Sequence, residues 1–506
     1  MKSWIEESHS FSWDHLWAKF DGDKVNMNIA HECIDRHRGR GTAVSIKFAD
    51  GHAEHYSFAE LADDTSRYAH WLALQGVQRG DRVAVLLDPS RAFYVSMFGT
   101  IKYGAVAVPM FTLFGPDALA LRIDDCKPAL IIALDTAGVL RERFPGIKVV
   151  DADSAFWEAL GKEPTQFEPS TAASDLAVFQ YTSGTTRELP EAVKHTHRSV
   201  VTLMVAALYG VGLEPGDKYF CPSSPAWGHG LWHGTIAPLA LGIHIAAYAG
   251  KFDPLRVLEA LQDFSIDNFS AAPTVIRMMR NAQAIDRYRI RLKKLSYTGE
   301  PMDLSTWDWA GEAFGVAPRS MYGSTEVGVL VVNFPGFPDY VVKRGALGMP
   351  VPGLTVDVID KDGCTLPANK SGEIAVRRKD GWFCVKDRGY RDAQGYIFIE
   401  GRSDDVIISA GWTMSAVEIE NTLMKHPAVA EAAVVGVPDP LRGQVAKAFV
   451  VARSTEDGVA ADIQKFMKAQ LSQHEYPRHI EFVGELPKTP AGKINRKALR
   501  DRATPN

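Results

Sequence analysis

The run Tyr181-Thr182-Ser183-Gly184-Thr185-Thr186 gathers hydroxyl side chains around a glycine, directly after the apolar Ala177 to Phe179. A strand that opens into such a segment supplies backbone N–H groups and Oγ donors, which together can wrap a phosphate. The same residue types also suit a polar turn with no ligand, because Ser, Thr and Gly serve turns for local reasons. The Walker pattern G-x-x-x-x-G-K-[ST] is absent, so an ordinary P-loop ATPase or kinase has no support. Taken alone, Glu326 in Met321-Tyr322-Gly323-Ser324-Thr325-Glu326 reads as a solvated loop carboxylate.

The elements that must position these residues alternate along the first third of the chain. Ser57 to Glu60 is a capping box opening an amphipathic helix that Gly76 ends, and Val83 to Leu87 is a short apolar strand. A second helix runs from Ser90 to Lys102, stops at Gly104 and leads into the apolar Ala105 to Val108; Ala129 to Leu134 repeats the strand pattern. This β-α-β-α order predicts largely parallel sheets covered by helices. From Gly345 to Ile399 short alternating runs broken by glycines, such as Val356 to Ile359 and Glu373 to Val376, predict an antiparallel sheet or barrel-like unit. After Arg402 a fresh set begins: a helix around Ala416 to Lys425, strands Glu431 to Val437 and Val445 to Val451, and a helix from Ala460 to Gln473. The expected fold class is therefore α/β, with a large domain of helix-covered sheets over 1–402, its barrel-like subdomain at 345–400, and a small α+β domain at 403–506.

Composition narrows the function classes. The 506 residues are 46% hydrophobic and 23% charged, ordinary globular usage. A net charge of -5, without Lys/Arg blocks, argues against a nucleic-acid partner. The N-terminus lacks an apolar h-region, and the most apolar stretch, Gly234 to Tyr248, is too short to span a bilayer and contains Pro238 and His244, so no membrane segment is expected. Five scattered cysteines without a C-x-x-C pair fit a reducing cytoplasm.

Several segments resemble, in order and over nearly the whole chain, the adenylate-forming superfamily of acyl-CoA synthetases, luciferases and peptide-synthetase adenylation domains. The phosphate loop at 181–186, followed by Pro190 and His195-Thr196-His197, is similar to that family's, and implies that Thr182, Ser183, Gly184, Thr185 and Thr186 hold ATP phosphates. The usual Gly-x-Pro-Lys is replaced here by Arg187-Glu188-Leu189-Pro190-Glu191, one residue longer and without the lysine. Arg187 or Lys194 is the candidate for the missing positive charge. Thr298-Gly299-Glu300-Pro301 resembles the segment whose backbone lies along adenine, with Gly299, Glu300 and Pro301 in contact. Met321 to Glu326 resembles Tyr-Gly-x-Thr-Glu, which implies Tyr322 near adenine, Thr325 on the α-phosphate and Glu326 on Mg2+. Asp387, in an altered Thr-Gly-Asp, would take the ribose hydroxyls, and Arg402 the ribose or phosphates; read singly, each is better taken as a surface ion-pair residue. Leu486 to Arg496 resembles the family's Pro-Lys-Thr-x-x-Gly-Lys-Ile, making Lys493 the catalytic lysine.

The resemblance implies an acid–thiol ligase that uses ATP, Mg2+ and coenzyme A. Its two half-reactions make an acyl adenylate and then a thioester, with Asp404 as hinge and Gly411 turned toward CoA. Acetate-specific members place tryptophan where Gly323 stands, so a longer, branched or aromatic acid is expected. Trp227, Gly228 and His229 lie where the family lines its acyl pocket, although a pure core role for Trp227 fits the residues as well. A medium-chain aliphatic acid is the first expectation, an aryl acid such as a benzoate the second, with carrier-protein loading and non-catalytic nucleotide binding as further alternatives. Acetylation of Lys493 by a lysine acetyltransferase would erase its charge. A monomer and a homodimer are both compatible with these residues.

Overall fold

A computed structural model describes residues 3–114, 116–181, 192–324, 327–402, 407–409, 412–414, 416–439, 443–453, 458–470, 476–489 and 494–503. The chain divides into two compact units, 1–296 with 334–337, and 297–333 with 338–506.

The first unit holds two helix-covered sheets. In one, Arg82–Leu86 lies between Val106–Pro109 and Leu130–Ala133, all parallel, and Lys148–Asp151 extends the parallel run beside Leu130–Ala133. Leu176–Gln180 adds beside Val106–Pro109, and antiparallel Val193–Thr196 closes that edge. Its strands Val106–Pro109 and Leu130–Ala133 are continuously apolar and fully buried, and Val106, Val108, Ile131 and Phe179 share one core cluster. The second sheet aligns Asn268–Ala271, Lys218–Phe220, His244–Ala249 and Thr42–Phe48 in parallel, with Ala53–Ser57 antiparallel at the edge.

The helix signals act as expected. Ser57 Oγ accepts from Glu60 N while Glu60 accepts from Ser57 N, starting the helix Phe58–Leu74. Ser90 caps Arg91–Tyr103, which ends at Gly104 with φ of 92°. The apolar stretch from Gly234 is divided among a π-helical segment His229–Ile236, a helix Ala237–Ala240 and the strand His244–Ala249. Among the described residues no helix is long and apolar enough to cross a membrane.

The second unit is richer in antiparallel pairs. Arg319–Ser324, Gly328–Val332 and Met349–Pro350 form one such set. Val356–Ile359, Gly372–Arg378, Gly381–Arg391 and Ile397–Arg402 form a four-stranded antiparallel sheet where the glycine-broken alternation predicts one. Beyond it, Trp412–Met414, Ile407–Ser409, Gly443–Ala452 and Val429–Asp439 lie side by side, with His479–Phe482 parallel to Gly443–Ala452. The strand Val429–Asp439 shows period-two burial directly: Ala432 and Val434 join a cluster with Ile419, Leu423, Ile463 and Met467, whereas Ala433, Val435 and Val437 join another with Leu486 and Leu499. Helices Ala416–Leu423 and Val459–Gln470 thus cover one face, and Arg496–Ala503 the other.

Candidate active site

In the first unit the strand Leu176–Gln180 delivers Tyr181, which is only 2% exposed. Its hydroxyl donates to Asp125 Oδ2 at 2.5 Å and to Arg122 O at 3.0 Å. Ala192 N donates to the same Asp125 oxygen at 3.2 Å. One carboxylate oxygen therefore grips the chain at 181 and again at 192, on either side of the phosphate-loop sequence. Burial, reinforced by Asp125, raises the Tyr181 hydroxyl far above the usual phenol range, so it stays a donor. Thr182, Ser183, Gly184, Thr185, Thr186 and Arg187 lie outside the described residues. Lys194 pairs in register with Phe179, and its Nζ stands 5.3 Å from the centre of that ring, a cation–π distance.

The Trp227-Gly228-His229-Gly230 segment enters the π-helical turn His229–Ile236, an irregularity that often marks functional sites. Trp227 is half-buried and packs on Phe111 at 5.3 Å and Phe114 at 5.8 Å between ring centres. A Cβ on Gly230 would run into the carbonyl oxygens of Ser223 and Ser224, so only glycine allows this close passage. His229 is bracketed by Ser223 Oγ at 3.2 Å on Nδ1 and Ser270 Oγ at 2.9 Å on Nε2. Burial, with His233 adding to it, lowers the His229 pKa to about 3, so the ring is neutral and orients through hydrogen bonds.

Sequence reasoning did not single out the neighbours that complete this region. Trp232 Nε1 donates to Gln180 Oε1 at 2.6 Å, and the His195 ring lies 4.4 Å from Trp232. His195 Nε2 and His233 Nδ1 are buried with no hydrogen-bond partner among the described residues, and burial lowers both pKa values to about 4. His195 had a signal, its place in the His-Thr-His run; Gln180 and Asp125 had none, because only the folded chain brings them to the loop.

In the second unit Tyr322, on Arg319–Ser324, donates its hydroxyl to Asp387 Oδ2 at 2.5 Å. Asp387 is 8% exposed and lies in register opposite Arg402 across the Gly381–Arg391/Ile397–Arg402 pair. Two residues 65 positions apart, each chosen on separate motif grounds, thus meet as an aromatic ring and a carboxylate. Gly299 is exposed at φ of 99°, a left-handed turn after the strand Lys294–Tyr297, with Glu300 partly buried and Pro301 exposed beside it. A Cβ on Gly323 would strike the backbone oxygen of Gly328, because the hairpin partner occupies that space. Thr325, Glu326, Asp404, Gly411 and Lys493 lie outside the described residues.

Residues 33–382 match the AMP-binding enzyme family and residues 418–493 the AMP-binding enzyme C-terminal domain. The acetyl-coenzyme A synthetase of Bacillus subtilis (strain 168) is 30% identical, covering 99% of this chain and 95% of that one. Acyl-coenzyme A synthetase ACSM3, mitochondrial, of Rattus norvegicus is also 30% identical, covering 98% and 91%. Among solved structures, the anthranilate CoA ligase AuaEII in complex with anthranoyl-AMP superposes with a TM-score of 0.85 at 26% identity, covering 96% and 98%. The chain belongs to the AMP-binding enzyme family, in the acyl-CoA synthetase branch of the adenylate-forming superfamily. It is an AMP-forming acid–thiol ligase, joining a carboxylic acid to coenzyme A at the expense of ATP.

Proposed function

We propose that the acid is a medium-chain aliphatic carboxylate, activated as acyl-AMP and then passed to the CoA thiol. The residue that carries this reading is Gly323: where acetate-specific members place tryptophan this chain has no side chain, so no ring from this position shortens the acyl space. The half-buried ring cluster of Trp227, Phe111 and Phe114 supports an aryl acid as the second reading, since an aromatic substrate can stack on or meet such rings edge to face.

In the first half-reaction a carboxylate oxygen attacks the α-phosphorus, the bond to the bridging oxygen breaks and pyrophosphate leaves. Charge grows on the transferring and leaving oxygens, which makes a positioned Lys493 ammonium most effective in the transition state. Thr182 to Thr186 cradle the phosphates, with Arg187 or Lys194 supplying charge to the leaving group and Thr325 meeting the α-phosphate. The Tyr322 ring beside the Asp387 carboxylate supplies the pairing a nucleoside asks for, a surface for the base and an acceptor for ribose hydroxyls. Gly299, Glu300 and Pro301 border adenine, and Arg402 the ribose or phosphates. Mg2+ carried by ATP takes one or two protein carboxylates and leaves the rest to phosphates and water, and Glu326 is the proposed protein carboxylate. In the second half-reaction the CoA sulfur attacks the acyl carbon and AMP leaves. A cytoplasmic setting suits this chemistry.

The test is a panel of acetate, butyrate, hexanoate, octanoate, 4-hydroxybutyrate and benzoate, read first as pyrophosphate release and then as thioester after CoA is added. Hexanoate or octanoate should give the highest kcat/KM. Preference for acetate would overturn the medium-chain reading, and preference for benzoate would replace it with the aryl one.

A further inference from the structure

The described residues on either side of 490–493 are tied to one another and to neighbouring elements. Lys488 and Ile494 form an isolated antiparallel bridge, and Asn495 N donates to Pro487 O at 2.8 Å. Arg496, three residues beyond Lys493, opens the helix Arg496–Ala503. Its Nη2 donates to both carboxylate oxygens of Glu420, at 2.7 and 2.8 Å. Glu420 lies on the helix Ala416–Leu423, and its Oε1 also accepts from Val434 N at 2.8 Å. Both partners are mostly buried, with 20% of the Arg496 and 13% of the Glu420 side-chain surface exposed. A single carboxylate thus fastens the foot of the lysine segment to a helix on one face of the sheet and to a strand within it. A second, more exposed contact, Lys488 Nζ to Glu431 Oε2 at 3.3 Å, reaches the same strand.

We infer that Glu420 and Arg496 are a positioning pair for Lys493, acting through Arg496 three residues further along the chain. This rests on the reading of Lys493 as the adenylation lysine. The physical need is plain: a lysine ends a flexible four-carbon stem, and displacement of a catalytic group by about 1 Å costs roughly 100-fold in rate. Because the pair lies at the root of the segment and not at the reacting atoms, its loss slows only the half-reaction that uses Lys493. Substrate binding and the thioester step are left alone.

The experiment separates the two half-reactions in the full-length enzyme, using the acid that turns over fastest. Adenylation is followed by acid-dependent exchange of pyrophosphate into ATP; thioester formation starts from synthetic acyl-AMP and CoA with no ATP. Glu420→Gln keeps the acceptor for Val434 N and removes the charge, so it tests the pair without opening a cavity, even if Arg496→Met folds poorly. We expect each substitution to lower adenylation kcat by about 10- to 100-fold. KM for ATP and the thioester rate should stay within about twofold, since neither residue is placed at those sites. The double variant should be no slower than the slower single one, and Arg496→Lys should recover part of the rate. Unchanged adenylation in Glu420→Gln, or equal loss of both half-reactions, would overturn the pair's role. Normal adenylation in Lys493→Gln would instead bring down the lysine reading itself, and the pair with it.

Discussion

The Tyr322 hydroxyl and the Asp387 carboxylate lie 2.5 Å apart, so the tyrosine fixes the direction of the acid proposed to hold ribose. Tyr322→Phe keeps the ring and removes the donor, at a cost of about 1.5–3 kcal/mol for a bond to a charged partner. KM for ATP should rise by roughly tenfold or more while KM for the acid is unchanged, as initial-rate kinetics with each substrate varied would reveal. The buried histidines make a different forecast. Unfolded, an imidazole takes a proton near pH 6.5. Burial lowers the folded pKa of His195, His197 and His233 to about 4 and of His229 to about 3. Below pH 6.5 the unfolded chain binds more protons, so these groups erode stability as pH falls from 6.5 toward 4 and have no effect above 6.5. Thermal melts should show Tm dropping between pH 6.5 and 4.5, with a shallower slope in His195→Gln; an equal slope would contradict the assignment.

At the scale of elements, the phosphate-loop sequence is framed by the strands Leu176–Gln180 and Val193–Thr196 and tied by Asp125 at 181 and 192. Asp125→Ala removes both ties, each worth about 0.5–3 kcal/mol. The expected result is a raised KM for ATP in pyrophosphate exchange with little change in KM for the acid; equal effects on both would point to general destabilisation. Asp125 also shows what a linear reading leaves out. Capping signals at Ser57 and Ser90 and the stop at Gly104 are local, and the helices follow them. Strands such as Leu130–Ala133 and Val356–Ile359 were legible from their apolar runs and alternation. The Asp125–Tyr181 contact spans 56 positions, and Glu420–Arg496 spans 76, so no periodicity carries them. The π-helical segment at His229–Ile236 was hidden for another reason: no residue pattern in His-Gly-Leu-Trp-His-Gly-Thr-Ile separates i→i+5 winding from an ordinary helical turn.

At the scale of the whole molecule, one ligase must run two reactions, one at the α-phosphorus and one at the acyl carbon, that want different groups beside the same acyl-AMP. The proposed hinge at Asp404 answers this by moving 403–506, carrying Lys493 in for adenylation and Gly411 in for CoA. Asp404→Pro locks φ near -65° and should leave pyrophosphate release intact while thioester formation is lost. Equal loss of both products would argue against hinge control.

The grip of one Asp125 oxygen on residues 181 and 192 has a further consequence for how such enzymes diversify. A chain fastened at both shoulders behaves like a replaceable cartridge: what lies between can lengthen or trade its charges while the socket keeps its dimensions. The unusual Arg187 to Glu191 stretch is then a variation the scaffold admits without rebuilding its neighbours, and nucleotide-handling chemistry can drift there while the surrounding architecture stands still.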